Sequence, residues 1–439
     1  MLSDNDELSM KSDSSFTTME FYNLFNDLTS NEFNDILLFI EDLFNEYIDN
    51  FSYNMKDCKF NDLCIDSICN EIYLIWSEFN LCNYTNYDDI YSLVESYCYN
   101  LFIKFNIPSY VNTRDYQIYS DFNKIHNTIH YLKHIPQPIQ RTNEWYNFRF
   151  NILSASNIWK IFKSETTRNS LIYEKCNPEC INKNISSPSL EWGNKYESVS
   201  TMIYCDKYNT KIGEFGCIRH NNYEFIGASP DGINIDDTND LFGRMLEIKN
   251  VVNRNITGIP KEDYWIQMQI QMETCNLDTC DFLETKFNEY TEHEFYNDSI
   301  HYYKGVILHF SKMPENNSAD NDINKPHFEY YPINKCLDYE DIHRWIFNKK
   351  KELESTHILY TTLYWYLQEF SCVLVKRNAL WFNSVIDSIK NTWSTILYER
   401  KNGYEHRTPK KKVTITVDNN NTHTIHNLPE NNNLKIIKK

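Results

Sequence analysis

Asp231, Glu247 and Lys249 are the residues whose types and spacing most clearly allow chemistry in this chain. Asp231 falls in Gly227-Ala228-Ser229-Pro230-Asp231-Gly232, and Glu247 and Lys249 follow in Leu246-Glu247-Ile248-Lys249-Asn250. The proline-glycine turn fixes the first carboxylate. The apolar residues around Glu247 read as a strand, on which positions i and i+2 share a face, so Glu247 and Lys249 point together. Two hard carboxylate ligands make a site for Mg²⁺, with the Ile248 carbonyl as a further oxygen. A neighbouring lysine steers or deprotonates a water aimed at phosphorus. The chemistry implied is metal-assisted hydrolysis of a phosphodiester.

Other residues gain meaning from that group. Glu197, in Trp192-Gly193-Asn194-Lys195-Tyr196-Glu197, lies on a helix just before the strands. Gly193 is one turn earlier on the same face and leaves room for a metal or phosphate. Taken alone, Glu197 reads equally well as a solvent-facing glutamate. With Asp231 and Glu247 it completes the metal site or holds a second ion. Gln267 and Gln271 lie one turn apart on the following helix, where Trp265, Met268 and Met272 form the apolar stripe. Neutral amides there suit bonding to Lys249 or to a water. An inward Glu-x-Lys on an apolar strand must find partners, and an isolated buried ion pair seldom gains stability over an apolar pair. With three carboxylates so close, at least one should titrate high, and metal binding should release that proton.

Around these residues the hydrophobic pattern predicts an alternation of helices and strands. Helices are expected over Asn143–Phe150, onward through Phe162, over Leu190–Lys207 and over Lys261–Cys275. Strands are expected at Lys211–Arg219, Tyr223–Gly227, Gly232–Ile235, Gly243–Val251, Cys280–Thr285 and Lys304–Phe310. Helices follow at Tyr339–Glu354 and Arg377–Lys401, and Trp365–Val375 fits either a helix or a strand. Residues 1–15 read as disordered, 314–325 as a polar loop, and Phe16 to Ile103 as helical, with Leu37, Ile40, Leu43 and Tyr47 near 3.6-residue spacing.

The 439 residues suffice for two or three domains. With 41% hydrophobic and 15% aromatic residues, a sizeable core can be buried. The net charge of −18 excludes a nonspecific DNA-coating role, while an enzyme needs only a local basic channel. Thirteen cysteines without a leading apolar segment point to a reducing, intracellular setting, and none has paired C-x2-C spacing. No stretch approaches the length of about 18 apolar residues that a membrane span needs.

Five motifs occur in one order: Trp145-x3-Arg149-x4-Ser154-Ala155-Ser156, Trp192-Gly193-x2-Tyr196-Glu197, Ser229-Pro230-Asp231-Gly232, Glu247-Ile248-Lys249 and Tyr264-x2-Gln267-x-Gln269. Together they resemble the PD-(D/E)XK nuclease superfamily, and within it the YqaJ-like viral recombinase family that includes the phage lambda exonuclease. The resemblance covers about Asn143 to Asp281 and looks like the version found in large DNA viruses. It implies an α/β (α+β) fold, a mixed β-sheet flanked by helices. It implies that Asp231, Glu247, the Ile248 carbonyl and Glu197 serve a Mg²⁺ ion, with Mn²⁺ as a substitute, and that Lys249 is catalytic with Gln267 beside it. Arg149, Ser156 and Ser154 match the positions that grip a DNA 5′-phosphate. An arginine fork and a hydroxyl near a helix start suit such a phosphate.

The domains expected are an acidic, mainly helical region over 1–108, a nuclease domain over 109–405 with its motif core at 143–285, and a basic tail over 406–439. The function expected is a Mg²⁺-dependent exonuclease acting 5′→3′ on double-stranded DNA ends in viral recombination, repair or replication. A structure-specific endonuclease on the same core and a DNA-binding scaffold without catalysis are the alternatives. DNA is the expected partner and a single-strand annealing protein a further candidate. Phage relatives form rings, but no ring contact can be read here, so the oligomeric state stays open.

Overall fold

The protein is described by a computed structural model covering residues 29–78, 87–114, 122–181, 187–313, 326–333, 337–409, 416–417 and 423–424. The expectations for residues 1–15, for the loop 314–325 and for the tail lysines from Lys410 onward fall outside these residues.

Three helices come first: α1 (Ser30–Phe51), α2 (Phe60–Glu78) and α3 (Tyr87–Lys104). Thr29 and Glu32 form a capping box that satisfies the free N–H groups at the start of α1. Then follow α4 (Phe122–His134), α5 (Asn143–Phe150), the single turn α6 (Ala155–Ile158), α7 (Glu165–Cys176) and α8 (Pro188–Tyr208). α4 and α7 were not expected from the sequence. Only Ile129 and Leu132 of α4 are buried, too few to print a helical period.

The main sheet is mixed, with seven strands in the order β2-β5-β6-β7-β10-β8-β9. These are β2 (Ile212–Gly213), β5 (Gly232–Asn234), β6 (Met245–Asn250), β7 (Thr279–Tyr290), β10 (His357–Lys376), β8 (Lys304–Lys312) and β9 (Pro326–Tyr330). A smaller sheet joins β1 (Leu153–Ser154), β4 (Ile226–Ala228) and β3 (Ile218–Arg219), with β1 and β4 parallel. Among the described strands of the main sheet only β6 and β7 run parallel, in the register Glu247 with Phe282 and Lys249 with Glu284. A parallel pair needs a crossover, which is supplied by α9 (Glu262–Cys275).

The segment 365–375, open between helix and strand, belongs to the 20-residue β10, which pairs with both β7 and β8. Register shifts at Leu359/Thr361 and Leu367/Glu369 break its alternation, which is why no clean period of two shows in the sequence.

Every residue of α9 from Trp265 to Cys275 except Gln267 is buried. Such a helix must find internal partners for its polar side chains. After α10 (Glu292–Asn297) and α11 (Tyr339–Leu353) comes α12 (Ala379–Asn402), and the buried residues of α1–α3 join one continuous cluster with those of α7, α9 and α12. Tyr110 stacks on Trp265 at 5.3 Å, and Lys56 pairs with Glu262 at 3.5 Å.

Candidate active site

The central residue is Glu247, fully buried on β6. Leu246 and Ile248 point to the other face of the strand and join Tyr204 of α8 in an apolar cluster, which commits Glu247 and Lys249 to the face covered by α9. Glu247 Oε1 accepts from the Lys249 ammonium and from Gln267 Nε2 at 2.8 Å. Its Oε2 accepts from Gln271 Nε2 at 2.7 Å. The two glutamines therefore bond the carboxylate, not the lysine that the sequence suggested as their partner. One helical turn separates them, so both reach the same group. Gln269, between them, faces away: its amide donates to the Lys376 carbonyl at 2.9 Å and accepts from Asn378 N–H at 2.7 Å. It ties α9 to the start of α12 and takes no part in the site.

Asp231 arrives from the turn between β4 and β5. Its Oδ2 accepts from the Ile248 N–H at 2.7 Å, which sets the aspartate between Glu247 and Lys249 along the strand edge. Burial, followed by repulsion from Glu247, pushes the Asp231 carboxyl well above its usual range. Lys249 goes the other way from a buried lysine standing alone. Burial would lower its pKa, but the charges of Glu247 and Asp231 outweigh that and raise it. Its ammonium also lies 4.9 Å from the Tyr264 ring.

Glu197 lies near enough for its charge to raise Asp231 further, yet its own carboxylate bonds Arg141 at 2.6 Å. α8 is held over the end of β6 by Asn250, which donates to the Gly193 carbonyl at 2.9 Å and accepts from Ser200 at 2.7 Å. A Cβ on Gly193 would meet nothing within 4 Å, so the helix start is open there. Among the described residues, no group of three or more His, Cys, Asp or Glu is arranged to hold a metal ion. Asp231 and Glu247 come together; Glu197 stands at the rim with Arg141.

A second cluster adjoins the first. The Arg149 guanidinium, at the end of α5, donates to Ser156 Oγ at 2.8 Å and lies 4.3 Å from the Trp145 ring. Ser154 and Ser156 hydroxyls are 3.3 Å apart. No carboxylate bonds Arg149 among the described residues, and burial pushes its guanidinium pKa down. Trp145 Nε1 donates to Ser229 Oγ at 3.1 Å, two residues before Asp231, and β1 pairs with β4 through Ser154 and Gly227. The cation cluster and the carboxylates are thus fixed to one short segment, 227–231.

Sequence reasoning missed three participants. Arg141 has left-handed backbone geometry, φ 66°, and pairs with a glutamate 56 positions away. Arg254 bonds Glu284, which stands beside Lys249 in the strand register and has its other oxygen buried without a partner. Lys175 donates to the Arg149 carbonyl. Only the parallel pairing of β6 with β7 could have signalled Glu284, and nothing local signals the other two.

None of the described helices is long and apolar enough to cross a membrane. None of the eleven described cysteines forms a disulfide. An uncharacterized protein of Acanthamoeba polyphaga mimivirus is 30% identical over 304 residues, which make up 62% of this chain and 54% of that protein. The chain therefore spans about half the length of this curated relative. Among solved structures, an alkaline exonuclease from Laribacter hongkongensis is 18% identical, with a TM-score of 0.34 over 60% of this chain and 95% of that one. A phage-related exonuclease from Haemophilus somnus is 14% identical, with a TM-score of 0.31 over 60% and 99%. The YqaJ-like viral recombinase domain matches residues 144–278, the span from Glu144 to Asp278 that holds Arg149, Ser154, Ser156, Glu197, Asp231, Glu247, Lys249 and Gln267. The family that residues 144–278 of this chain resemble is thus that of the YqaJ-like viral recombinase domain.

Proposed function

We propose that the chain is a Mg²⁺-dependent deoxyribonuclease that degrades double-stranded DNA from its ends, 5′→3′, in viral recombination, repair or replication. The observation that carries this reading is the fixed pairing of two opposite clusters. Arg149, bonded by no carboxylate among the described residues, lies over the Trp145 ring, and Trp145 is tied through Ser229 to the turn bearing Asp231. A cation pocket beside a carboxylate site suits an end phosphate held next to the bond to be cut.

The donor set fits a hard divalent cation. Asp231 and Glu247 supply carboxylate oxygens and Ile248 a backbone carbonyl, the ligand chemistry Mg²⁺ prefers and Mn²⁺ accepts. The Asp231 carboxyl is raised first by burial and then by the Glu247 charge, and a cation there would offset that repulsion. A bound Mg²⁺ supplies an acidified water and neutralises charge developing on the phosphoryl oxygens.

The chain's own residues do the rest. Gln267 and Gln271 fix both oxygens of Glu247. Lys249, raised by the charges of Glu247 and Asp231 against the effect of burial, orients a water or a phosphate oxygen. Glu197 supports from the rim, its reach set by Arg141. Arg149, Ser156 and Ser154 grip the 5′-phosphate, the guanidinium by charge-assisted hydrogen bonds.

The test is digestion of linear duplex DNA in Mg²⁺ and in EDTA by wild type and Lys249→Ala. Nucleotide release is expected only from wild type with metal. Release that survives in EDTA, or an undiminished Lys249→Ala rate, would overturn the proposal.

A further inference from the structure

The Arg149 pocket has a floor that none of the five motifs contains. Lys175, near the end of α7, is 5% exposed, and its ammonium donates to the Arg149 carbonyl at 2.5 Å. Arg400 of α12 donates to the Phe150 carbonyl at 2.7 Å, to the Asn151 side chain at 3.2 Å and to the Lys175 carbonyl at 2.8 Å. Arg149 and Phe150 end α5, where carbonyls lose their helical partners; the Arg149 carbonyl also accepts from Ile152 N–H at 3.4 Å, so Lys175 is its second donor there. Cations are favoured at that negative end of the helix.

The charges facing Lys175 are Arg149 from α5, Arg400 from α12 and, opposing them, Glu174 beside it on α7. Its sequence neighbour Glu174 gives its carboxylate to Lys160, on the turn after α6, at 2.7 Å. Cys217, before β3, is the remaining titratable group, and burial pushes its thiol up, which keeps it neutral. Among the described residues no carboxylate bonds Lys175 or Arg149. A buried ammonium without a counter-ion is costly. Its position behind a guanidinium with the same want makes sense if an anion completes the cluster.

We propose that Lys175 is a positioning residue of the terminal-phosphate pocket, holding the end of α5 so that Arg149 faces the anion and adding a second positive charge behind it. This rests on the reading of Arg149, Ser154 and Ser156 as the 5′-phosphate grip.

Burial first, then the Arg149 charge and, against a pull from Glu174, the Arg400 charge push the lysine down to about 7. A phosphate dianion raises it again, so above neutrality the pocket takes up a proton when it binds a phosphorylated end. The terminal phosphate, with a second pKa of about 6, remains a dianion there and contributes no slope of its own. The preference for phosphorylated over hydroxyl ends must then fall as pH rises from about 7 to about 9, the range in which Lys175 loses its proton.

The experiment measures kcat/KM on 5′-phosphorylated and 5′-hydroxyl duplexes over that pH range, for wild type, Lys175→Met and Lys175→Arg. Taking the ratio of the two substrates cancels pH effects shared by both, those of the carboxylate cluster included. Wild type should lose preference roughly tenfold across the range, mainly through KM, by proton linkage. Lys175→Arg should keep the preference without the pH slope, because arginine does not titrate there. Lys175→Met should show a low, flat preference. A Lys175→Met ratio and slope equal to wild type would overturn the proposal. If that variant does not fold, a Lys175→Arg profile that still falls with pH overturns it equally. A wild type indifferent to the 5′-phosphate at every pH would instead sink the underlying reading of the pocket.

Discussion

Asp231 is where stability and chemistry pull apart. Its carboxyl is raised above the unfolded value of 3.8 by burial and by Glu247. A raised folded-state value means that the protonated form stabilises the fold at low pH and that this is lost as pH rises through the folded value. Asp231→Asn keeps an acceptor for the Ile248 N–H but carries no charge. It should melt higher than wild type at pH 8 in EDTA, lose the Mg²⁺-induced rise in melting temperature, and lose cleavage; thermal melts with and without metal check this. A variant that melts lower in EDTA would show that the charge is not a burden. The carboxylate pair and Lys249 were legible because one turn and one strand period place them. Arg141 and Glu284 were not, because their roles arise from contacts across 56 and 30 positions with no local pattern.

At the scale of elements, the site depends on close backbone approaches. Residues 137–140 lead into α5 and lie against Gly216: Gly216 N–H donates to Gln137 at 2.7 Å, and Cys217 N–H donates to the Pro138 carbonyl at 3.2 Å. A Cβ on Gly216 would come 2.2 Å from the Pro138 carbonyl oxygen, which is backbone and cannot turn aside. Gly216→Ala should therefore cost about 1–3 kcal/mol, read from the urea midpoint, the range for overpacking a close-packed site. It should also weaken the preference for phosphorylated ends by displacing the entry to α5. An unchanged midpoint would mean that this loop yields freely. Helices with a buried stripe and strands with clean alternation could be read from the sequence. α9 could be placed too, but which of its glutamines faced Glu247 could not, because ten of its fourteen residues are buried and no polar face marks the inward side.

The whole chain carries a charge of −18 and yet is proposed to hold DNA. Its affinity must come from local cations, Arg149, Lys175 and Arg400 among them, and from the lysines of the C-terminal segment. Each phosphate contact contributes about −0.9 to the slope of log affinity against log salt. Removing residues 410–439 should flatten that slope by a few such steps without abolishing metal-dependent cleavage. A slope left unchanged would assign that segment another role. The described part of the N-terminal region, 29–78 and 87–104, could be read as helical from its apolar spacing. Its merger into one core with α9 and α12 could not, because packing of Tyr110 on Trp265 joins residues 155 positions apart. The most direct test of the central claim follows duplex DNA with one 5′-phosphorylated and one 5′-hydroxyl end, beside covalently closed circles, in Mg²⁺. The account predicts stepwise mononucleotide release from the phosphorylated strand, an intact complementary strand and untouched circles. Cutting of circles as fast as linear DNA, or no metal-dependent release from either end, would contradict it.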